Sequence, residues 1–61
     1  MKDVILVFPD TTSIADFILG NRIKNAEVSS VYNELTARLT DQQIVIAEIS
    51  YHAFLKKANV R

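Results

Sequence analysis

The sequence predicts an α+β fold, in which a four-stranded antiparallel sheet carries two helices on one face and the elements follow in the order β-α-β-β-α-β. The first observation is the apolar run of residues 4–8, which stops at Pro9 as a strand buried on both faces does. The second is a pair of helix-cap signals, at residues 11–13 and at Thr40, each followed by apolar residues at helical spacing. The third is the strict alternation of residues 35–39, typical of a strand with one buried side.

The first strand is expected over residues 3–8 and, being apolar on both sides, at the centre of the sheet. The first helix follows, with Thr11, Thr12 or Ser13 as N-cap, because a side-chain oxygen there satisfies an unpaired backbone N–H group. Asp16 is then expected in the first turn, where the helix dipole favours a carboxylate.

The first helix is expected to bury one stripe and to end abruptly. Its apolar stripe consists of Ile14, Phe17 and Ile18. The pair Gly20 and Asn21 is expected to stop the helix, because both residue types tolerate the left-handed backbone conformation.

The middle of the chain predicts a hairpin after a polar link in which Ile23 points inward. A second strand is expected over residues 26–32, with the turn at Asn33-Glu34, since Asn tolerates positive φ. In the third strand the expected core face carries Leu35, Ala37 and Leu39, and the opposite face carries Thr36 and Arg38.

The second helix is expected over residues 41–51. Residues 40–43 read Thr-Asp-Gln-Gln, which resembles a capping box with Gln43 reaching back to the N-cap. The β-branched residues 44–46 also fit a buried strand. The capping signal favours the helix, as does the spacing of Ile44, Ala47 and Tyr51.

The tail, residues 53–60, has two interpretations. It either extends the second helix or forms a last strand, and we favour the strand. In the strand one face carries Phe54, Ala58 and Val60, and the other carries Leu55, Lys57 and Asn59. Lys56 then faces the core side near its rim, where lysines guard an edge strand against unwanted pairing.

Length and composition bound the class of protein. Sixty-one residues make one domain, residues 1–61, and a chain this short buries only about 60% of its unfolded surface. The chain has no Cys and one His, which excludes disulfides and a His-based metal cluster. Oligomerisation is the remaining source of stability, so a homo-oligomer, most simply a dimer, is expected.

Charge and apolar runs bound the partners. Seven basic and seven acidic residues cancel, so there is no long-range attraction to nucleic acid or to anionic lipid, and neither partner is expected. The apolar run of residues 4–8 is shorter than the about 7–15 residues of a signal peptide or the about 20 of a membrane span. The expected compartment is the cytoplasm, by elimination.

The predicted element order resembles the ferredoxin-like fold shared by ACT domains, heavy-metal-associated domains, acylphosphatases and RNA-recognition motifs. Residues 7–11, 15–18 and 26–28 also resemble segments of small bacterial proteins that have no named activity. The metal-transport relatives imply a Cys pair after the first strand, and this chain has no Cys. RNA recognition implies aromatic residues on the third strand, and residues 35–39 contain none. Acylphosphatase activity implies an Arg in the first loop, and that loop is acidic.

The resemblance to ACT domains implies a small-ligand site in the first loop and helix start, often across a dimer interface. In this chain that loop consists of Asp10, Thr11, Thr12 and Ser13. Helix-start N–H groups suit a carboxylate ligand, but Asp10 would repel it. No ACT-type glycine follows the first strand, which weakens this interpretation.

The side chains predict no catalytic centre. His52 has no identifiable orienting acid, and Asp10 and Asp41 occupy helix starts, where Asp is common as a cap. Asp16 is likewise interpreted as a structural residue. We therefore expect no enzyme activity, no cofactor and no metal site.

The sheet face away from the helices is the expected interaction surface. Ile5 and Val7 are expected to point outward there, beside Thr36 and Arg38, with Val31 or Leu55 nearby. An apolar patch with a polar rim marks a protein interface. The expected function is a non-enzymatic interaction or oligomerisation module, binding a second copy or another protein. The alternative is an ACT-like domain that senses a small molecule.

Overall fold

The computed structural model, which describes residues 1–58, contains four strands and two helices. The elements are β1 (Lys2–Val7), α1 (Thr11–Asn21), β2 (Glu27–Ser29), β3 (Glu34–Leu39), α2 (Asp41–Ser50) and β4 (Phe54–Ala58). The strands form one antiparallel sheet in the order β2-β3-β1-β4. The predicted α+β class, element order and central position of β1 are confirmed.

Alternation along β1 separates the two faces of the sheet. Val4 and Leu6 are fully buried and lie opposite Ala37 and Leu35 of β3. They join one core cluster, whose other buried members are Phe8, Ile14, Phe17, Leu39, Ala47 and Ala53. We call the side of the sheet that bears Val4 and Leu6 the core face. The opposite side is the outer face.

Three aromatic rings tie α1, α2 and the end of β1 together. The ring centroid of Phe17 lies 5.6 Å from that of Phe8 and 5.3 Å from that of Tyr51, which ends α2. The contact between Phe17 and Tyr51 is edge-to-face, a geometry worth about 0.5–1.5 kcal/mol beyond the area it buries.

The start of α1 differs from the prediction. Asp10 is the N-cap, and its Oδ1 accepts a hydrogen bond from the backbone N–H of Ser13 at 2.7 Å. The cap predicted at residues 11–13 is therefore wrong, because Asp caps a helix as well as Ser or Thr does and Asp10 already has the extended backbone of a cap. Asp16 consequently lies beyond the first turn, contrary to prediction.

The end of α1 also differs. Gly20 and Asn21 both remain helical, and the left-handed residue is Arg22, with φ 53°. The backbone N–H of Ile23 donates to the Ile18 carbonyl at 3.0 Å, and Ile23 packs against the core as predicted. The inward placement of Ile23 accounts for the reversal at Arg22, since the chain turns there to bring that side chain onto the core.

The strand β2 is shorter than predicted. It spans three residues, and residues 30–33 form the turn into β3. The hydroxyl of Ser29 accepts from the backbone N–H of Tyr32 at 3.4 Å, a local bond that competes with strand pairing. Asn33 has the positive φ expected of it, 54°. It is the last residue of the turn, however, whereas Glu34 already belongs to β3.

The capping box predicted for α2 is confirmed. Thr40 Oγ1 accepts from the backbone N–H of Gln43 at 3.1 Å, and Gln43 Oε1 accepts from the backbone N–H of Thr40 at 3.0 Å. Residues 44–46 are helical, so the interpretation of this segment as a strand is wrong.

The last strand is confirmed as β4, and the predicted positions of Asn59 and Val60 lie outside the described residues. Its register against β1 shifts: Leu6 lies opposite Leu55, but Ile5 lies opposite Lys57. Lys56 is therefore an extra residue, as in a β-bulge. Its Nζ lies 2.6 Å from Oε2 of Glu34, a residue opposite Val7 on the outer face. The prediction that Lys56 faces the core side is wrong, because the extra residue interrupts the alternation.

Candidate interaction surface

The outer face has an apolar centre. Ile5 and Val7 are half-buried there, as predicted, and Phe54 lies opposite Val7 with 60% of its surface exposed. We call Ile5, Val7 and Phe54 the apolar centre. The prediction that Phe54 shares a face with Ala58 and Lys56, on the core side, is wrong. The register shift between β4 and β1 puts Phe54 beside Val7 on the outer face, while Ala58 lies opposite Val4 on the core face.

A charged pair crosses the sheet beside this centre. Lys56 belongs to β4 and Glu34 to β3, and β1 lies between those two strands. The Glu34 side chain is only 17% exposed, whereas that of Lys56 is 53% exposed. The 2.6 Å contact therefore compensates a carboxylate that has lost most of its solvent.

More charges surround the apolar centre. Arg38 Nε lies 3.5 Å from Oδ1 of Asp3 on the neighbouring strand, so the predicted position of Arg38 on this face is confirmed. At the two edges of the sheet, Glu27 of β2 and Lys57 of β4 are both exposed. The outer face thus combines an apolar centre with a rim of both charge signs.

Two other residues predicted for this surface lie elsewhere. Val31 is in the turn of residues 30–33 with 81% of its surface exposed, because β2 ends at Ser29 and never reaches it. Leu55 lies opposite Leu6 and therefore belongs to the core face. The structure brings together Ile5, Val7 and Arg38, but not Val31.

In the loop predicted to bind a ligand, the Asp10 carboxylate caps the start of α1. Asp10 accepts from the N–H of Ser13, and this hydrogen bond, reinforced by the Ser13 side chain, lowers the pKa of Asp10. Thr11 and Thr12 are exposed. The negative charge of Asp10 already satisfies part of the helix start, and a ligand role for Asp10, Thr11, Thr12 and Ser13 stays a prediction.

An open groove of about 620 Å³ lies at the end of the sheet where α1 leads into β2. Its charged lining consists of Asp3, Arg22, Lys24, Glu27 and Arg38. Sequence reasoning missed it. The only signal was the pair Arg22 and Lys24 in a polar link, and nothing in the sequence indicated that β3 would lie beside that link.

The side chains that could bind a metal ion are spread over the described part of the chain. Among residues 1–58, no three His, Cys, Asp or Glu side chains lie close enough together to hold a metal ion. His52 is exposed and has a left-handed backbone, φ 56°. It lets the backbone N–H of Ala53 return to the Ala47 carbonyl at 3.1 Å. Asp41 forms an ion pair with Lys2 at 3.1 Å. His52 and Asp41 therefore both have a structural role.

Neither helix in residues 1–58 has the length and apolar character needed to cross a bilayer. No protein-family model matches the chain, and comparison with curated proteins and with solved structures finds no significant match.

Proposed function

We propose that the chain is a non-enzymatic interaction module that assembles with a second copy of itself through the outer face. The proposed framework is a ferredoxin-like two-layer sandwich in which both helices cover the core face. The strand order β2-β3-β1-β4 supports this framework, as does a single core cluster that draws on β1, β3, α1 and α2.

The observation that carries the proposal is the apolar centre on a face that the core does not use. Phe54 is 60% exposed beside the half-buried Val7 and Ile5, and charged residues surround them. An apolar centre with a polar rim is the usual anatomy of a protein interface. A 61-residue chain also has a small core, to which burial of a second face adds stability.

The test is Val7→Lys, measured by sedimentation and circular dichroism at about 100 μM protein, where a micromolar complex is populated. We expect the wild-type chain to be a dimer and the variant to be a folded monomer. Glu34, the neighbour of residue 7, is already paired with Lys56, so the added ammonium group is an extra charge that has to lose its water when the interface forms, which is costly. The matched control is Val45→Lys, at an exposed position of α2, which is expected to remain a dimer. A wild-type chain that is monomeric at this concentration contradicts the proposal.

A small-molecule-sensing role is the second candidate, and the groove where α1 leads into β2 favours it. This groove lies at the other end of β1 from the loop of residues 10–13, where an ACT-like site is expected. Arg22, Lys24 and Arg38 line this groove together with Asp3 and Glu27, so it offers both charge signs to a polar metabolite. A thermal-shift screen with amino acids, nucleotides and other metabolites tests it, since a ligand at a hundredfold excess over Kd stabilises by about 2.7 kcal/mol. The absence of any shift contradicts this candidate.

A further inference from the structure

The strand register arranges the outer face in rows. Cross-strand partners of an antiparallel sheet lie side by side on the same face. The middle row, from β2 to β4, is Glu27, Thr36, Ile5 and Lys57, and the next is Ser29, Glu34, Val7 and Phe54. On the other side of the middle row, Arg38 of β3 lies beside Asp3 of β1.

The middle row has opposite charges at its two ends. Glu27 is exposed on the edge strand β2, and Lys57 is exposed on the opposite edge strand, β4. Three strand spacings separate them, about 14 Å, so they do not pair within one chain. Neither forms an ion pair with any other residue in the described range 1–58. The row therefore has a negative end and a positive end and is neutral as a whole.

We infer that two copies stack outer face on outer face about a two-fold axis that runs along the strands between β1 and β3. This inference rests on the proposed function and specifies the arrangement of that dimer. The axis exchanges the two sides of each row, so Glu27 of one copy faces Lys57 of the other. Arg38 in turn faces Asp3 of the other copy, and Thr36 faces Ile5. In the next row Val7 faces Glu34 of the other copy, whose charge Lys56 compensates, and Phe54 faces Ser29.

The charges select this axis over the perpendicular one. A two-fold axis along the middle row places Glu27 on Glu27 and Lys57 on Lys57, and such like-charge contacts are a penalty. The axis along the strands replaces both repulsions with attractions. Sheets that pack face to face lie about 10 Å apart, a gap that Glu and Lys side chains bridge from both sides.

The available area indicates a weak dimer. The Cα extents of the described chain are 24 × 21 × 19 Å, so one face contributes on the order of 400–500 Å² per copy, close to the lower limit of about 1,000 Å² in total for a specific interface. We therefore expect a dissociation constant in the micromolar range, which sedimentation equilibrium measures directly.

The test is a charge swap. Glu27→Lys alone and Lys57→Glu alone each place like charges opposite each other, and each is expected to weaken the dimer by about tenfold or more. The double variant restores opposite charges and is expected to return to within about threefold of wild type. Because Glu27 and Lys57 are about 14 Å apart in one chain, this restoration has to come from contacts between copies. Circular dichroism confirms that each variant is folded.

Mixing the two single variants gives an independent arm. One chain then has lysine at both ends of the middle row and the other has glutamate at both ends. We expect a heterodimer stronger than either homodimer. Glu48→Lys, at an exposed position of α2, produces the same net charge as Glu27→Lys and serves as control. It is expected to dimerise as wild type does and to gain no comparable preference for the Lys57→Glu chain.

The outcomes separate the arrangement from the proposed function. A wild-type dimer whose double variant stays as weak as the single variants overturns this axis and leaves the outer-face module standing. A heterodimer preference as large for Glu48→Lys as for Glu27→Lys also overturns it, since net charge alone then explains the attraction. A wild-type chain that stays monomeric overturns both.

Discussion

Lys56 and Glu34 form an ion pair across a strand to which neither belongs. Their Nζ and Oε2 atoms lie 2.6 Å apart, although β1 separates β4 from β3. The contact is possible because Lys56 is the extra residue at the register shift of β4. It links the two strands that flank β1 and covers one side of the apolar centre.

This pair is expected to contribute modestly to stability. In a double-mutant cycle of Glu34→Gln and Lys56→Gln, we expect a coupling energy of about 0.5–1 kcal/mol, because one partner is largely exposed. The coupling should fall in about 1 M salt, where the Debye length is about 3 Å. Urea denaturation of the four chains at low and high salt measures both effects. Coupling that is absent at low salt contradicts the geometry.

Gly20 is a site where an added methyl group should stabilise the chain. It lies inside α1, where Gly costs about 1 kcal/mol relative to Ala. A Cβ there would lie 3.4 Å from the Tyr51 hydroxyl oxygen, which is a close contact with a movable group. We expect Gly20→Ala to raise the free energy of unfolding by up to about 1 kcal/mol. The gain should be at least as large in a Tyr51→Phe background, which removes the hydroxyl. A loss of stability in both backgrounds refutes this.

Thr40 and Thr12 provide a matched pair for testing the helix caps. Thr40 is the N-cap of α2, whereas Thr12 lies within α1 behind the Asp10 cap. Thr40→Ala is expected to cost about 1 kcal/mol, the usual value for a lost cap. Thr12→Ala should be neutral within about 0.5 kcal/mol. Thermal denaturation monitored by circular dichroism compares them, and equal losses would show that α1 is capped differently.

The Asp10 cap makes the free energy of unfolding depend on pH in the acid range. Its hydrogen bonds with Ser13 lower the pKa of Asp10 in the folded chain below the ordinary value of 3.8. As the pH falls, Asp10 is therefore protonated in the unfolded chain before it is protonated in the folded chain. The stabilising contribution is complete well above pH 3.8 and disappears as the pH falls through the lowered folded value. Asp10→Asn keeps a capping oxygen but does not titrate. The free energy of unfolding of wild type, measured by urea denaturation, should therefore fall relative to that of this variant as the pH is lowered. A difference between the two chains that is the same at all pH values contradicts this prediction.

Local signals in the sequence predict most of the fold. The capping box of Thr40 and Gln43, the alternation of residues 35–39 and the apolar run of residues 4–8 each correspond to a short-range preference that packing reinforces. What local reasoning missed depends on distant partners. Asp10 and the three residues that follow it are all suitable N-caps. Which of them caps α1 depends on how the helix packs on the core.

The sequence likewise predicts part of the outer face. Alternation along β1 is enough to place Ile5 and Val7 on the outer face, and alternation along β3 places Arg38 there. Phe54 and Lys56 could not be placed in this way, because one extra residue in β4 changes which side chains lie next to β1. The position of Val31 depended on where β2 ends, which a weak local hydrogen bond at Ser29 helps to decide.

The central position of β1 also sets the order in which this chain folds as it is synthesised. Both neighbours of the first strand come from the second half of the sequence, and Val4 has Ala58 as its partner on one side. The ribosome therefore releases an apolar strand whose hydrogen-bonding partners do not yet exist, and the sheet is completed only when β4 emerges. Such long-range pairing slows folding. Until then residues 4–8 are the segment that chaperones and other nascent chains are expected to encounter.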